Sequence, residues 1–223
     1  MRSGWRIGAA EPSPGESGMN EPVAAQAVPQ GFGPSTAQRL PVPEREAMSE
    51  AQRAAAQAII DGPRKALFGP FVPLLQTPQL MECLGKTGET LRFGGSLPDR
   101  VRELAICIVA RETHNQFEWL MHAPLALKAG VAAEVIDCLL QGRRPRDLAP
   151  DETCAVDFVT ELMHRHGVSD ATYAEATGLF GEPGTVELTA LTGYFVSVCW
   201  IMNVARTPGP QDSPAGRLSA FPA

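Results

Sequence analysis

The sequence has no apolar run long enough to cross a bilayer. Crossing takes roughly 18–20 uninterrupted apolar residues, and the longest run, Leu104 to Ala110, falls far short. The amino terminus, MRSGWRIGAAEPSPGESG, lacks the apolar stretch of a secretory signal, and acidic residues follow early. A basic surplus is also missing: 19 Lys and Arg against 25 Asp and Glu leave a net charge of −6 and no basic stripe. That excludes the usual electrostatic footprint of a nucleic-acid binder. The five cysteines, at 83, 107, 138, 154 and 199, are odd in number and have no C-x-x-C spacing. Disulfide frameworks are therefore not expected, and the thiols read as reduced, mostly buried groups of a cytoplasmic protein. No segment alternates apolar and polar residues between hairpin turns.

What is present is helical patterning. With 44% hydrophobic and 20% charged residues, the composition is that of an ordinary globular chain. Residues 1–42 are rich in Pro, Gly, Ala and Ser and are predicted to be a flexible tail, as are residues 209–223. Between them, residues 43–208 predict one all-α domain of about seven to nine helices. Gly62-Pro63 breaks the first helix, Thr77-Pro78 and Ser96-Leu97-Pro98 open later ones, and Ser169 caps another. Gly130, Gly142 and Gly167 are expected to stop helices. PDRVRELAICIVARET is apolar on nearly every side after Leu104 and should be a central buried helix. The closing helix is apolar round most of its circumference from Leu188 to Val204, including Tyr194, Phe195 and Trp200. One small domain covers such a helix poorly, so a homo-oligomer is expected.

Glu118 and His122 stand four apart in NQFEWLMHAPLALKAG. On a helix that spacing puts both side chains on one face, here among Phe117, Leu120, Met121, Ala123 and Leu125. An imidazole tuned by a carboxylate in apolar surroundings exchanges protons near neutral pH. If the next helix folds back across His114-Asn115, Glu103 approaches the same face and completes a trio of acid, base and orienting group. The plain alternative is that both Glu118–His122 and Glu103 with Arg100 and Arg102 are solvated ion pairs. His164 and His166 read as surface residues at a helix end, and Cys107 as core. E-x-x-x-H lacks the paired histidines of a zinc motif, so no metal is expected.

RVRELAICIVARETHNQFEWLMHAPLALKAGVAAEVIDCL resembles the carboxymuconolactone decarboxylase / alkylhydroperoxidase-D-like family, in an E-W-x-x-H branch. GPFVPLLQTPQLMECLGKTGETLRF and ELTALTGYFVSVCWIMNVARTP extend the likeness over about residues 40–208. The resemblance implies an AhpD-like helical bundle, oligomeric as a trimer or hexamer, with no cofactor. Glu103 and His122 match the glutamate and histidine of the peroxidase branch. Its two cysteine positions are Asn115 and Glu118 here, so its thiol chemistry is unavailable at those positions. The decarboxylase branch carries E-x-x-x-H, matched by Glu118 and His122. The implied chemistry is decarboxylation, isomerisation or opening of a small carboxylated lactone or enolisable acid, in aromatic-compound catabolism. His122 is then the proton carrier, with Glu118 and Glu103 orienting it. The expected partner is a small carboxylate, with no nucleic acid and no membrane. Arg100, Arg111, Asn115, Trp119 and Phe71 are the residues expected to bind it. Two alternatives stay open: a non-catalytic oligomeric binding protein on this scaffold, and a thiol-dependent redox protein.

Overall fold

The computed structural model describes residues 37–218. Among these residues there are eight α-helices and no strand: α1 Glu50–Asp61, α2 Phe71–Leu74, α3 Pro78–Glu89, α4 Asp99–Glu112, α5 Gln116–Lys128, α6 Ala133–Leu140, α7 Pro150–Arg165 and α8 Asp170–Ala205. The class and helix number are those expected.

Local chemistry sets the boundaries. Ser49 caps α1 in a reciprocal box, its hydroxyl accepting from the Gln52 amide while Gln52 accepts from the Ser49 amide. Pro78 opens α3 at N1, although the Thr77 side chain makes no capping bond. Asn115 accepts from the Glu118 amide at 2.8 Å and starts α5, and Ser169 does the same for α8 through Thr172. Gly130 follows α5 at φ 100°. The stop expected at Gly167 falls one residue earlier, on His166, which adopts left-handed backbone at φ 63°. Within α8 the chain breaks at Gly181, whose φ of 69° and ψ of 174° are not helical. Glycine meets that demand without a Cβ penalty.

α4 is the axis of the fold. Every residue from Val101 to Arg111 is buried, and the helix packs against α5, α7 and α8. Apolar burial of this kind stabilises by about 1.5–3 kcal/mol per large side chain. A smaller cluster of Met48, Ile59, Leu67, Phe71, Leu74, Leu75 and Met81 joins α1, α2 and α3. α8 is, among the described residues, the one helix long and apolar enough to span a bilayer, with mean hydropathy 1.5 over its window. Glu187, Thr189, Thr192 and Gly193 interrupt it, so it holds no long uninterrupted apolar run. Half of that window is buried inside the chain, while Val186, Trp200 and Val204 are largely exposed.

Both expected tails enter the described chain. The Arg39 amide and guanidinium donate to the Ala205 and Val204 carbonyls, capping the end of α8; residues 1–36 lie outside the described residues. At the other end, packing continues ten residues beyond the boundary expected at 208. Pro124 has no N–H, so the Leu120 carbonyl loses its helical donor. The Ser213 hydroxyl supplies one at 2.7 Å. Trp119 Nε1 donates to the Gly216 carbonyl at 2.8 Å, and Leu218 is buried.

Candidate active site

The turn between α4 and α5 builds the site. His114 takes left-handed backbone at φ 54°, so α5 runs back along α4. Asn115 locks the turn to α8, donating from Nδ2 to the Cys199 carbonyl at 3.1 Å and to Asn203 Oδ1 at 2.8 Å. Asn203 in turn donates to the Thr113 carbonyl at 2.7 Å. This brings Glu103 of α4 against His122 of α5.

His122 lies between two carboxylates. Its Nδ1 is 2.6 Å from Glu103 Oε2 and its Nε2 is 3.2 Å from Glu118 Oε2. The three side chains are only 4–9% exposed, so neither pair is the solvated surface bridge that spacing alone allowed. The Phe195 and His122 rings meet nearly perpendicular, with centroids 5.3 Å apart. Among the described residues no group of three His, Cys, Asp or Glu could hold a metal ion.

Burial disfavours the imidazolium, but the bonds from Glu103 and Glu118 and their charges outweigh it, holding the His122 pKa above its ordinary 6.5. For Glu103, burial pushes the pKa up. The His122 bond and the charges of His122, Arg92 and Arg102 reverse that and hold it below 4.5. The arrangement favours a protonated histidine against an ionised Glu103.

A cavity of about 30 Å³, opening into a mouth that brings the empty space to about 400 Å³, is lined by Glu118 and His122. Glu103 lies behind the histidine, outside the lining. The apolar wall is Phe68, Pro70, Phe71, Phe117, Met121, Phe195 and Val198, and the polar remainder is Arg64, Arg92 and Tyr194. Tyr194 is pushed up to about 12, chiefly by burial. Its hydroxyl passes so close to Gly88 that a Cβ there would collide with it.

Of the five residues expected to bind substrate, only Phe71 lines the cavity. Arg100 is taken by Asp151 at 2.6 Å and ties α4 to α7. Arg111 donates from Nε to the Leu139 carbonyl at 3.1 Å, at the end of α6. Asn115 is a capping residue; the N-x-x-E spacing to Glu118 was the available signal. Trp119 is fully buried on the side facing Gly216. Arg64, Arg92 and Tyr194 were missed as cavity residues, since only tertiary packing brings them beside His122. Cys107 is core as expected, and burial drives its thiol pKa well up. Cys199 behaves likewise, and no cysteine lines this cavity.

Residues 78–161 match the model of the carboxymuconolactone decarboxylase family. No protein of curated function matches the sequence. Among solved structures, the alkylhydroperoxidase AhpD core of an uncharacterised peroxidase-related protein from Ralstonia eutropha JMP134 superposes with TM-score 0.64 at 18% identity, covering 78% of this chain and 93% of that one. A debrominase superposes with TM-score 0.60 at 10% identity, covering 79% of this chain and 95% of that one. The same debrominase as a cysteine-to-alanine variant in complex with 2,3,4-tribromopyrrole gives TM-score 0.59 at 9% identity, over 77% and 91% of the two chains. These likenesses carry the fold alone. Through the segment that holds Glu103, Glu118 and His122, the chain matches the carboxymuconolactone decarboxylase family over residues 78–161, and its fold is AhpD-like and all-α.

Proposed function

We propose that this chain is a cofactor-independent acid/base enzyme of the carboxymuconolactone decarboxylase type, acting on a small carboxylated lactone or another enolisable acid. One observation carries the reading: a buried histidine held between two carboxylates, facing an apolar cavity. Burying charges that do nothing is costly, and strongly coupled buried acids and bases mark functional sites.

In the decarboxylation, the bond from carbon to the carboxylate breaks and CO₂ leaves. The electron pair passes into the conjugated carbonyl as a dienolate. His122 delivers the Nε2 proton to carbon, and the imidazole regains a proton from water through the cavity mouth. Glu103 stays on Nδ1, fixing the ring and stabilising its charge. Glu118, on the cavity side, shares the Nε2 proton and tunes its release. Isomerisation or lactone opening would use the same three groups. The peroxidase route has no sulfur at residues 115 and 118, which weighs against the thiol alternative. The exposed apolar stripe of α8 supports a homo-oligomer, and the composition a cytoplasmic setting.

The test is turnover of a panel of carboxylated lactones in D₂O, followed by CO₂ release and deuterium in the product. One CO₂ and one deuteron per turnover are expected, and His122→Gln should lower kcat/KM by about 100-fold or more. A loss of less than tenfold in a folded variant removes His122 as the proton carrier. Binding without turnover of any acid would leave a binding protein instead.

A further inference from the structure

Several arginines surround the Glu103–His122–Glu118 cluster, and most are already engaged. Arg100 is held by Asp151 at 2.6 Å. Arg102 is held by Asp99 at 2.6 Å and the Leu97 carbonyl at 3.2 Å. Arg64 reaches the cavity, but Glu89 binds it at 2.7 Å and the Gly85 carbonyl at 3.2 Å, with its guanidinium 4.5 Å above the Phe71 ring. Arg92 differs. It lines the cavity with its guanidinium 5.1 Å from the centre of the Phe93 ring; its Nε, like that of Arg102, is buried with no hydrogen-bond partner, but unlike those three it makes no ion pair among the described residues.

A buried guanidinium N–H left unmade is costly, and such exceptions call for an explanation. The backbone supplies a second peculiarity. Arg92 sits in a π-turn, Thr90–Gly94, appended to α3; such turns are rare and recur at functional sites. Electrostatics supplies a third. Glu103 and Glu118 set two carboxyl groups beside one imidazole, so the cluster itself offers an entering anion little attraction. A cation with free donors facing the cavity would supply that attraction.

We propose that Arg92 is the anion anchor of this cavity, receiving the carboxylate of a small acid whose apolar body lies against Phe71, Phe117 and Phe195. A guanidinium can present two N–H groups side by side, a geometry that matches two carboxylate oxygens. The purpose of the anchor rests on the acid/base reading above, but its binding does not require turnover. It replaces Arg100 and Arg111 in the role first expected of them.

The experiment measures binding alone. Acetate and benzoate, each against its uncharged amide, are titrated into the native chain at constant ionic strength, by calorimetry and by the His122 ring resonances. Each acid should bind at least about tenfold tighter than its amide, the scale of a charge-assisted hydrogen bond. Arg92→Gln should erase that preference and Arg92→Lys should keep part of it; the lysine variant serves where the glutamine variant does not fold. Arg64→Gln should keep the preference, although it uncovers Glu89. Equal binding of acid and amide overturns the proposal. So does the absence of binding by either probe at millimolar concentration, a preference that survives Arg92→Gln, or one that vanishes in Arg64→Gln. An Arg92-dependent preference in a chain that turns over no acid keeps the anchor and removes the enzyme. Turnover with KM unchanged in Arg92→Gln does the reverse.

Discussion

Of the three glutamate–histidine pairs among the described residues, two barely differ in length. Glu112–His164 is 2.8 Å long, with side chains 29% and 57% exposed. Glu103–His122 is 2.6 Å long, with side chains 9% and 4% exposed. Residue types and distances do not separate them; water does. At the surface, solvent screens the charges and competes for every donor, so the pair contributes little. In the interior the same charges interact through a lower effective dielectric and cannot turn to water when a partner is lost. One pair is decoration on a helix end. The other holds a proton under tension between α4 and α5.

The largest effect should come from His122→Ala. It leaves Glu103 and Glu118 buried without their shared cation, and a broken buried pair costs about 3–5 kcal/mol. Chemical denaturation measures this; a loss under about 1 kcal/mol would make the two pairs equivalent after all. A smaller effect should appear as pH dependence. His122 has its folded pKa raised above 6.5, so its contribution is complete below about pH 6.5 and fades as pH climbs through the folded value. Glu103 has its folded pKa lowered below 4.5, so its contribution is complete above about pH 4.5 and fades as pH falls through the folded value. The stability lost in Glu103→Gln should therefore peak between about pH 4.5 and 6.5 and shrink on either side, read from melting temperatures across a pH series. A difference independent of pH would mean that the glutamate acts through shape rather than charge. The smallest effect belongs to His164→Ala, which should cost less than about 1 kcal/mol and leave turnover unchanged. A turnover loss there would put the surface pair into the chemistry.

How much of this was legible follows from how far each signal reaches along the chain. The Glu118–His122 face, the caps at Ser169 and Gly130, and the burial of α4 depend on residues within a turn or two. Local pattern carries them. Glu103 needed one further assumption, that the chain folds back at His114, and the structure meets it. The arginines needed more. Arg100 and Arg102 are two residues apart on α4, yet one goes to α7 and the other to Asp99 on its own helix. Arg111 goes to the end of α6. Trp119 adjoins Glu118 in sequence, but a step of one residue turns a side chain about 100° round the helix, away from the cavity. Arg64, Arg92 and Tyr194 come from separate elements that meet only when the bundle closes. Composition has no term for that meeting.

Pro124 gives up a backbone bond in the middle of the helix that carries His122, and Ser213, from the far end of the described chain, restores it. The segment after α8 is therefore a splint for the reactive helix rather than spare polypeptide. Fusing a reporter or affinity handle beyond Leu218 would load that splint, and assays on such fusions need an untagged control before low activity is blamed on the wrong substrate.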